Sequence, residues 1–135
     1  SDLLRARETA EIVGAWLDLP VTTRVGLREI DVGEFSGLTH AEIVERWPDV
    51  PARTKERGYG WMQGESFEEL SDRVHTELRR IAAAHPDQTV LVVGHGAMMR
   101  VVLAMRDGLD LAAHRSVVGP IANGALERIE LSPDG

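Results

Sequence analysis

His95 stands between Gly94 and Gly96, after the run Val90-Leu91-Val92-Val93 and before Ala97-Met98-Met99-Arg100. The unbroken apolar, β-branched run before it reads as a strand covered on both faces. After it, Met98, Val101, Val102 and Met105 recur at helical spacing. The pattern places residues 89–93 in an interior parallel strand, with His95 at its carboxyl edge and beside a helix N-terminus. Open α/β sheets hold their ligands at that position. A helix start offers N–H groups and the positive end of the macrodipole, so an anion is favoured there. The chemistry that follows is a histidine beside bound phosphate. The alternative is a histidine that merely fits a tight turn.

Composition narrows the classes. A chain of 135 residues suits one domain of about 100–200 residues, and 43% hydrophobic residues suffice for a core. No apolar stretch approaches the roughly 20 residues of a membrane span, and no signal peptide is apparent. There is no cysteine, which excludes disulfides and thiolate metal sites and fits a cytoplasmic protein. His40, His75, His85, His95 and His114 show no spacing of metal-ligand type, so neither a metal nor another cofactor is expected. The net charge of −7 argues against a nucleic-acid partner and requires any phosphate site to be locally basic.

The elements that would position His95 follow from periodicity and punctuation. Residues 2–17 read as a helix, with Leu3, Ala6, Ala10, Val13 and Leu17 on one face. Pro20 ends it, and residues 21–25 suit a short strand. Thr39 with Glu42 forms a capping box for a short helix that stops before Pro48. Residues 49–64 form a loop rich in Pro, Gly and charge. Ser66 with Glu69 is a second capping box, opening a long helix that turns Phe67, Leu70, Val74, Leu78 and Ile81 inwards and ends before Pro86. Residues 125–131 suit a last strand, with Ile129 and Leu131 on one face. Helices alternating with short strands make an α/β domain with a mainly parallel sheet flanked by helices. That sheet has few strands for the helices it must support.

Three segments, in order, resemble the histidine phosphatase superfamily in its phosphoglycerate-mutase-like branch. Ser1-Asp2-Leu3-Leu4-Arg5-Ala6-Arg7-Glu8-Thr9-Ala10 is similar to the family's SxLxRAxxTA helix start. Leu27-Arg28-Glu29-Ile30-Asp31-Val32-Gly33-Glu34-Phe35-Ser36-Gly37 is similar to its LxExxxGxxxG segment. Val93-Gly94-His95-Gly96 is similar to its second histidine motif, and Gly64-Glu65-Ser66 and Asn123-Gly124-Ala125 also fit. The family's first motif, Arg-His-Gly after a strand, supplies the histidine that becomes phosphorylated, and this sequence contains no Arg-His-Gly. The resemblance thus implies a single domain over residues 1–135, incomplete at its N-terminus. It would lack the family's first strand, first helix and second strand.

The resemblance also implies roles. His95 would stabilise the transferring phosphoryl group, helped by the Gly96 N–H. Arg5 would bind phosphate through its guanidinium, which is always charged and suited to bidentate contact. Glu29 would protonate the leaving oxygen and then take a proton from water. Read without the resemblance, Arg5 is an exposed helix arginine and Glu29 a surface glutamate. Arg7 is expected at the surface, Glu65 as a charge favourable before a helix N-terminus, and His40, His75 and His85 in solvent.

The function implied is a phosphomonoesterase acting on a small phosphorylated metabolite through a phosphohistidine. The isolated 135 residues would be inactive, for want of the nucleophile. A phosphoglycerate mutase is the alternative, although Arg53, Lys55 and Arg57 do not reproduce that enzyme's arginine pair. A non-catalytic phosphate- or protein-binding module is the alternative of another class. No nucleic acid or membrane partner is expected, and a homodimer is compatible with the resemblance.

Overall fold

A computed structural model describes residues 1–54, 56, 58–109 and 121–131. Among the described residues there are five α-helices: α1 Leu4–Leu17, α2 His40–Arg46, α3 Val50–Arg53, α4 Phe67–Ala84 and α5 Gly96–Arg106. Single 3₁₀ turns occupy Val25–Leu27 and Gly33–Phe35. None of the described helices is long and apolar enough to cross a membrane.

The helix starts lie where local chemistry puts them. Thr39 Oγ1 accepts from the Glu42 N–H at 3.3 Å, and the Glu42 carboxylate accepts from the Thr39 N–H at 2.8 Å. Ser66 and Glu69 repeat this reciprocal pair at 3.1 and 2.7 Å. Each box satisfies two N–H groups that the helix leaves without an internal partner, and a capping side chain stabilises by about 1 kcal/mol. α4 ends at His85, just before Pro86.

The core lies between α4 and α5. Leu70, Val74 and Leu78 of α4 meet Met98, Val101 and Val102 of α5, with Leu27 closing one side. Phe67, Ile81 and Met105 pack against this cluster, as the helical spacing requires. α4 also packs against the Val25–Leu27 turn. Gly26 allows that approach, because a Cβ there would lie 2.8 Å from Cβ of Glu77 on α4. A second cluster joins Phe35 to Trp47 and Trp61 edge-to-face, with ring centroids 4.9 and 5.3 Å apart. It gathers α2 and the loop after α3 around the Gly33–Phe35 turn.

Several expectations need correction. On α1, Ala6 and Gly14 are buried and Leu3, Ala10 and Val13 are half-buried, but Leu17 is exposed. Residues 21–24 form no regular element and lead, through an extended Arg24, into the 3₁₀ turn at Val25–Leu27, so no strand forms over 21–25. The loop over 49–64 contains α3 and one isolated antiparallel bridge, Gly60 to Ser66.

The mainly parallel sheet is not formed among the described residues. Residues 89–93 and 125–131 are not helical, and no backbone hydrogen bond joins the two segments. Each leans one side chain, Val92 and Ile129, on the core. Alternation and β-branching favour an extended backbone, but a ladder also needs a neighbour at the right register. Neither segment meets one among the described residues, and Val90, Leu91 and Leu126 remain exposed.

Candidate active site

His95 caps α5 with an extended backbone, φ −137° and ψ 168°, and its side chain does not cap the helix. The ring turns instead towards the start of the chain, where Nε2 and Ser1 Oγ are 2.9 Å apart. The Ser1 nitrogen donates to the Val93 carbonyl at 3.1 Å, which ties the segment before α1 to the segment before α5. Ser1 Oγ also accepts from the Leu3 N–H at 3.2 Å, so the hydroxyl is held from both sides.

The start of α5 is already occupied within the chain, by the carboxyl group of Glu29. Its carboxylate accepts from the Ala97 N–H at 3.1 and 3.2 Å and from the Met98 N–H at 3.4 Å. It also accepts from the Ile30 N–H at 3.0 Å. This is the charge preference of a helix N-terminus, satisfied within the chain. A Cβ at Gly96 would lie 3.9 Å from Glu29 Oε2, so the carboxylate sits against the turn that carries His95.

Burial lowers the His95 pKa below its ordinary value, and the Arg5 guanidinium lowers it further. The Glu29 carboxylate acts in the opposite direction, and Arg73 adds a smaller positive influence. Arg5, Glu29, Arg73 and His95, spread over 90 positions of the sequence, therefore share one electrostatic neighbourhood. Arg5 projects from the exposed side of the first turn of α1.

A frame holds Glu29. On one side Arg28 binds Asp2 through one edge of its guanidinium, Nε to Oδ1 at 2.8 Å and Nη2 to Oδ2 at 2.5 Å. That pairing holds the Asp2 carboxyl at a pKa of about 2. On the other side Arg73 of α4 binds Glu65, Nε to Oε1 at 2.8 Å and Nη2 to Oε2 at 2.7 Å. Arg73 is the residue that sequence reasoning missed. Arg73 and Glu77 lie four apart on α4 beside the apolar positions 70, 74 and 78, but nothing local in the sequence names the partners of Arg73.

The remaining assignments divide. Arg7 is exposed and pairs with Glu11 at 3.4 Å. His40 and His85 are exposed, as expected. His75 departs from expectation: it is half-buried, its Nε2 is buried without a partner, and burial lowers its pKa. Arg53 pairs with Asp49 at 3.4 Å and lies over the Tyr59 ring at 5.7 Å, while Lys55, Arg57 and His114 lie outside the described residues. No cluster of metal-ligating side chains occurs among the described residues.

The sequence profile of the histidine phosphatase superfamily (branch 1) matches residues 1–135. This chain belongs to that superfamily. It is 32% identical over 134 residues to the Bacillus subtilis protein named uncharacterized phosphatase PhoE, covering 99% of this chain and 63% of that one. It is 34% identical over 122 residues to a 2,3-bisphosphoglycerate-dependent phosphoglycerate mutase of Methylobacterium radiotolerans, covering 83% of this chain and 56% of the mutase. Among solved structures it resembles a mycobacterial glucosyl-3-phosphoglycerate phosphatase in complex with inorganic phosphate. The TM-score is 0.80 at 29% identity, over 91% of this chain and 63% of that one. The histidine phosphatase chain thus superposes closely on neighbours of that superfamily, whose fold is α/β, and spans about three fifths of the relatives' length.

Proposed function

We propose that residues 1–135 form one domain supplying the phosphate-binding and acid/base residues of a histidine phosphatase that hydrolyses small phosphomonoesters. The attacking histidine comes from residues outside these 135. In the same proposal, residues 89–93 and 125–131 are strands of a mainly parallel sheet. The observation that carries the reading is the meeting of Glu29 with the start of α5, one residue beyond the turn that holds His95.

The chemistry runs in two steps. The attacking imidazole nitrogen forms a bond to phosphorus while the ester P–O bond breaks. Glu29, protonated, gives its proton to the departing oxygen, leaving an alcohol and a phosphohistidine. Glu29, now a carboxylate, takes a proton from water, whose oxygen attacks phosphorus as the P–N bond breaks. Arg5, His95 and the Gly96 N–H face the phosphoryl oxygens and offset the charge that develops on them. A glycine at 96 lets the backbone come close to the phosphoryl group. The 135 residues alone are expected to show no turnover.

The mutase relative supports a second reading, in which the phosphoryl group returns to the substrate instead of passing to water. Release of inorganic phosphate from 3-phosphoglycerate favours the phosphatase; isomerisation without release favours the mutase. The direct test of the site is His95→Ala in the full protein. It should lower kcat on an aryl phosphate by at least ~10², the order for losing a positioned charge stabiliser. Unchanged turnover in a folded variant contradicts the reading.

A further inference from the structure

We propose that Arg73, held by Glu65, is a positioning residue that aims the Glu29 carboxyl at the reacting oxygen. The proposal rests on the acid/base reading of Glu29.

One guanidinium takes hold of the strip of backbone that carries Glu29. Arg73 Nη1 donates to the Gly26 carbonyl at 2.9 Å and to the Arg28 carbonyl at 3.1 Å, and Nη2 reaches the Glu29 carbonyl at 3.5 Å. Its remaining donors bind both oxygens of Glu65. Glu65 in turn holds the same strip just beyond Glu29. Its N–H donates to the Asp31 carbonyl at 2.8 Å, and its carboxylate accepts from the Asp31 N–H at 3.4 Å. Backbone groups on both sides of Glu29 are therefore bound to one ion pair.

The pair is itself well placed to be rigid. The Arg73 side chain is 26% exposed and that of Glu65 is 15% exposed, so solvent screens it less than a surface pair. Two parallel N–H···O bonds fix the plane of the guanidinium. Arg73 rises from the second turn of α4, one residue before Val74, which is fully buried. The clamp is thus anchored in the core between α4 and α5. The other end of Glu29, its carboxylate, rests on α5. Arg73 fixes the backbone of Glu29 to one core helix while the carboxylate touches the other. A lysine replaces it only in part, since an ammonium keeps the charge but lacks the planar fork that spans these acceptors.

A positioning role and a purely structural role predict different kinetics. General acid help matters most when the leaving group is poor. The test compares kcat/KM of the full protein on phenyl phosphate and on p-nitrophenyl phosphate for Arg73→Met, Arg73→Lys and Glu29→Gln. kcat/KM reports the steps up to formation of the phosphoenzyme, before water attacks.

Arg73→Met should lose about 10-fold or more on phenyl phosphate and several-fold less on the nitrophenyl ester, with Arg73→Lys between it and the parent. Added to Glu29→Gln, Arg73→Met should cost little more, because both changes act through one group. Equal losses on the two esters, alongside a selective loss in Glu29→Gln, overturn the positioning role and leave the reading of Glu29 intact. Equal losses in Glu29→Gln itself overturn the acid reading, and the positioning role with it. Should Arg73→Met fail to fold, Glu65→Gln, which keeps the shape of the clamp and removes its charge, decides by the same comparison.

Discussion

Glu29 and His95 divide the start of α5 between them: the carboxylate takes the Ala97 and Met98 amides, and the imidazole turns to Ser1. Burial, then Arg5, holds the His95 pKa below its ordinary 6.5, which favours the neutral ring in the free protein. A bound phosphate adds negative charge and must raise that pKa. Phosphate or vanadate binding should therefore take up a proton and tighten as pH falls through the window between the free and bound values. Histidine ring chemical shifts, titrated with and without phosphate, check this; a His95 titration that phosphate leaves unmoved contradicts it. The folded protein also binds protons less readily at His95 than the unfolded chain. Its contribution to stability is therefore lost as pH falls below about 6.5 and levels off below the folded-state value. At this scale the sequence pointed to His95 through its own setting, but to Arg5 and Glu29 only through motif register. Arg73 was not legible because its acceptors are backbone carbonyls 44 to 47 residues away, which no local pattern encodes.

Elements were legible where their causes are local. Both capping boxes, the inward face of α4 and the spacing of α5 depend on residues within a turn or two, and they form as written. Strands depend on a partner far along the chain, so the interior parallel strand expected at 89–93 and the last strand expected at 125–131 needed a pairing that an apolar run does not encode. The glycines of the second motif now have distinct reasons. Gly33 has φ +54°, and a Cβ there would come within 2.0 Å of the Met62 carbonyl oxygen. The Glu34 N–H donates to that same carbonyl at 3.1 Å, so the Gly33–Phe35 turn and the loop before Glu65 are in direct backbone contact. Gly37 has φ +81° with open space around it. Gly37→Ala should cost about 1 kcal/mol, for backbone conformation alone. Gly33→Ala should cost about 2 kcal/mol more and should reduce activity by disturbing the contact between Asp31 and Glu65. Denaturant midpoints of the two variants, measured side by side, check this; equal shifts would show that the close approach at Gly33 carries no strain.

At the scale of the whole molecule, family membership rests on the ordered motifs, and they span the chain. The core between α4 and α5 needs only residues of this chain, and it carries three of the features that matter: Arg73 on one helix, the His95 turn before the other, and Leu27 beside Glu29. Elsewhere large apolar groups face solvent, among them Ile12 and Trp16 on α1 and Leu126 in the last segment. The proposed sheet gives residues 89–93 and 125–131 the neighbours they lack among the described residues. The central claim is that Glu29 serves as acid in the first chemical step and as base in the second. Glu29→Gln in the full protein separates the two steps when p-nitrophenyl phosphate is the substrate, because a good leaving group needs little acid while attacking water still needs a base. Rapid mixing should then give a burst of nitrophenolate approaching one equivalent per site, followed by slow turnover, with acid-labile phosphate held on histidine. Slow turnover from the first moment, with no burst and no phosphohistidine, would contradict the account.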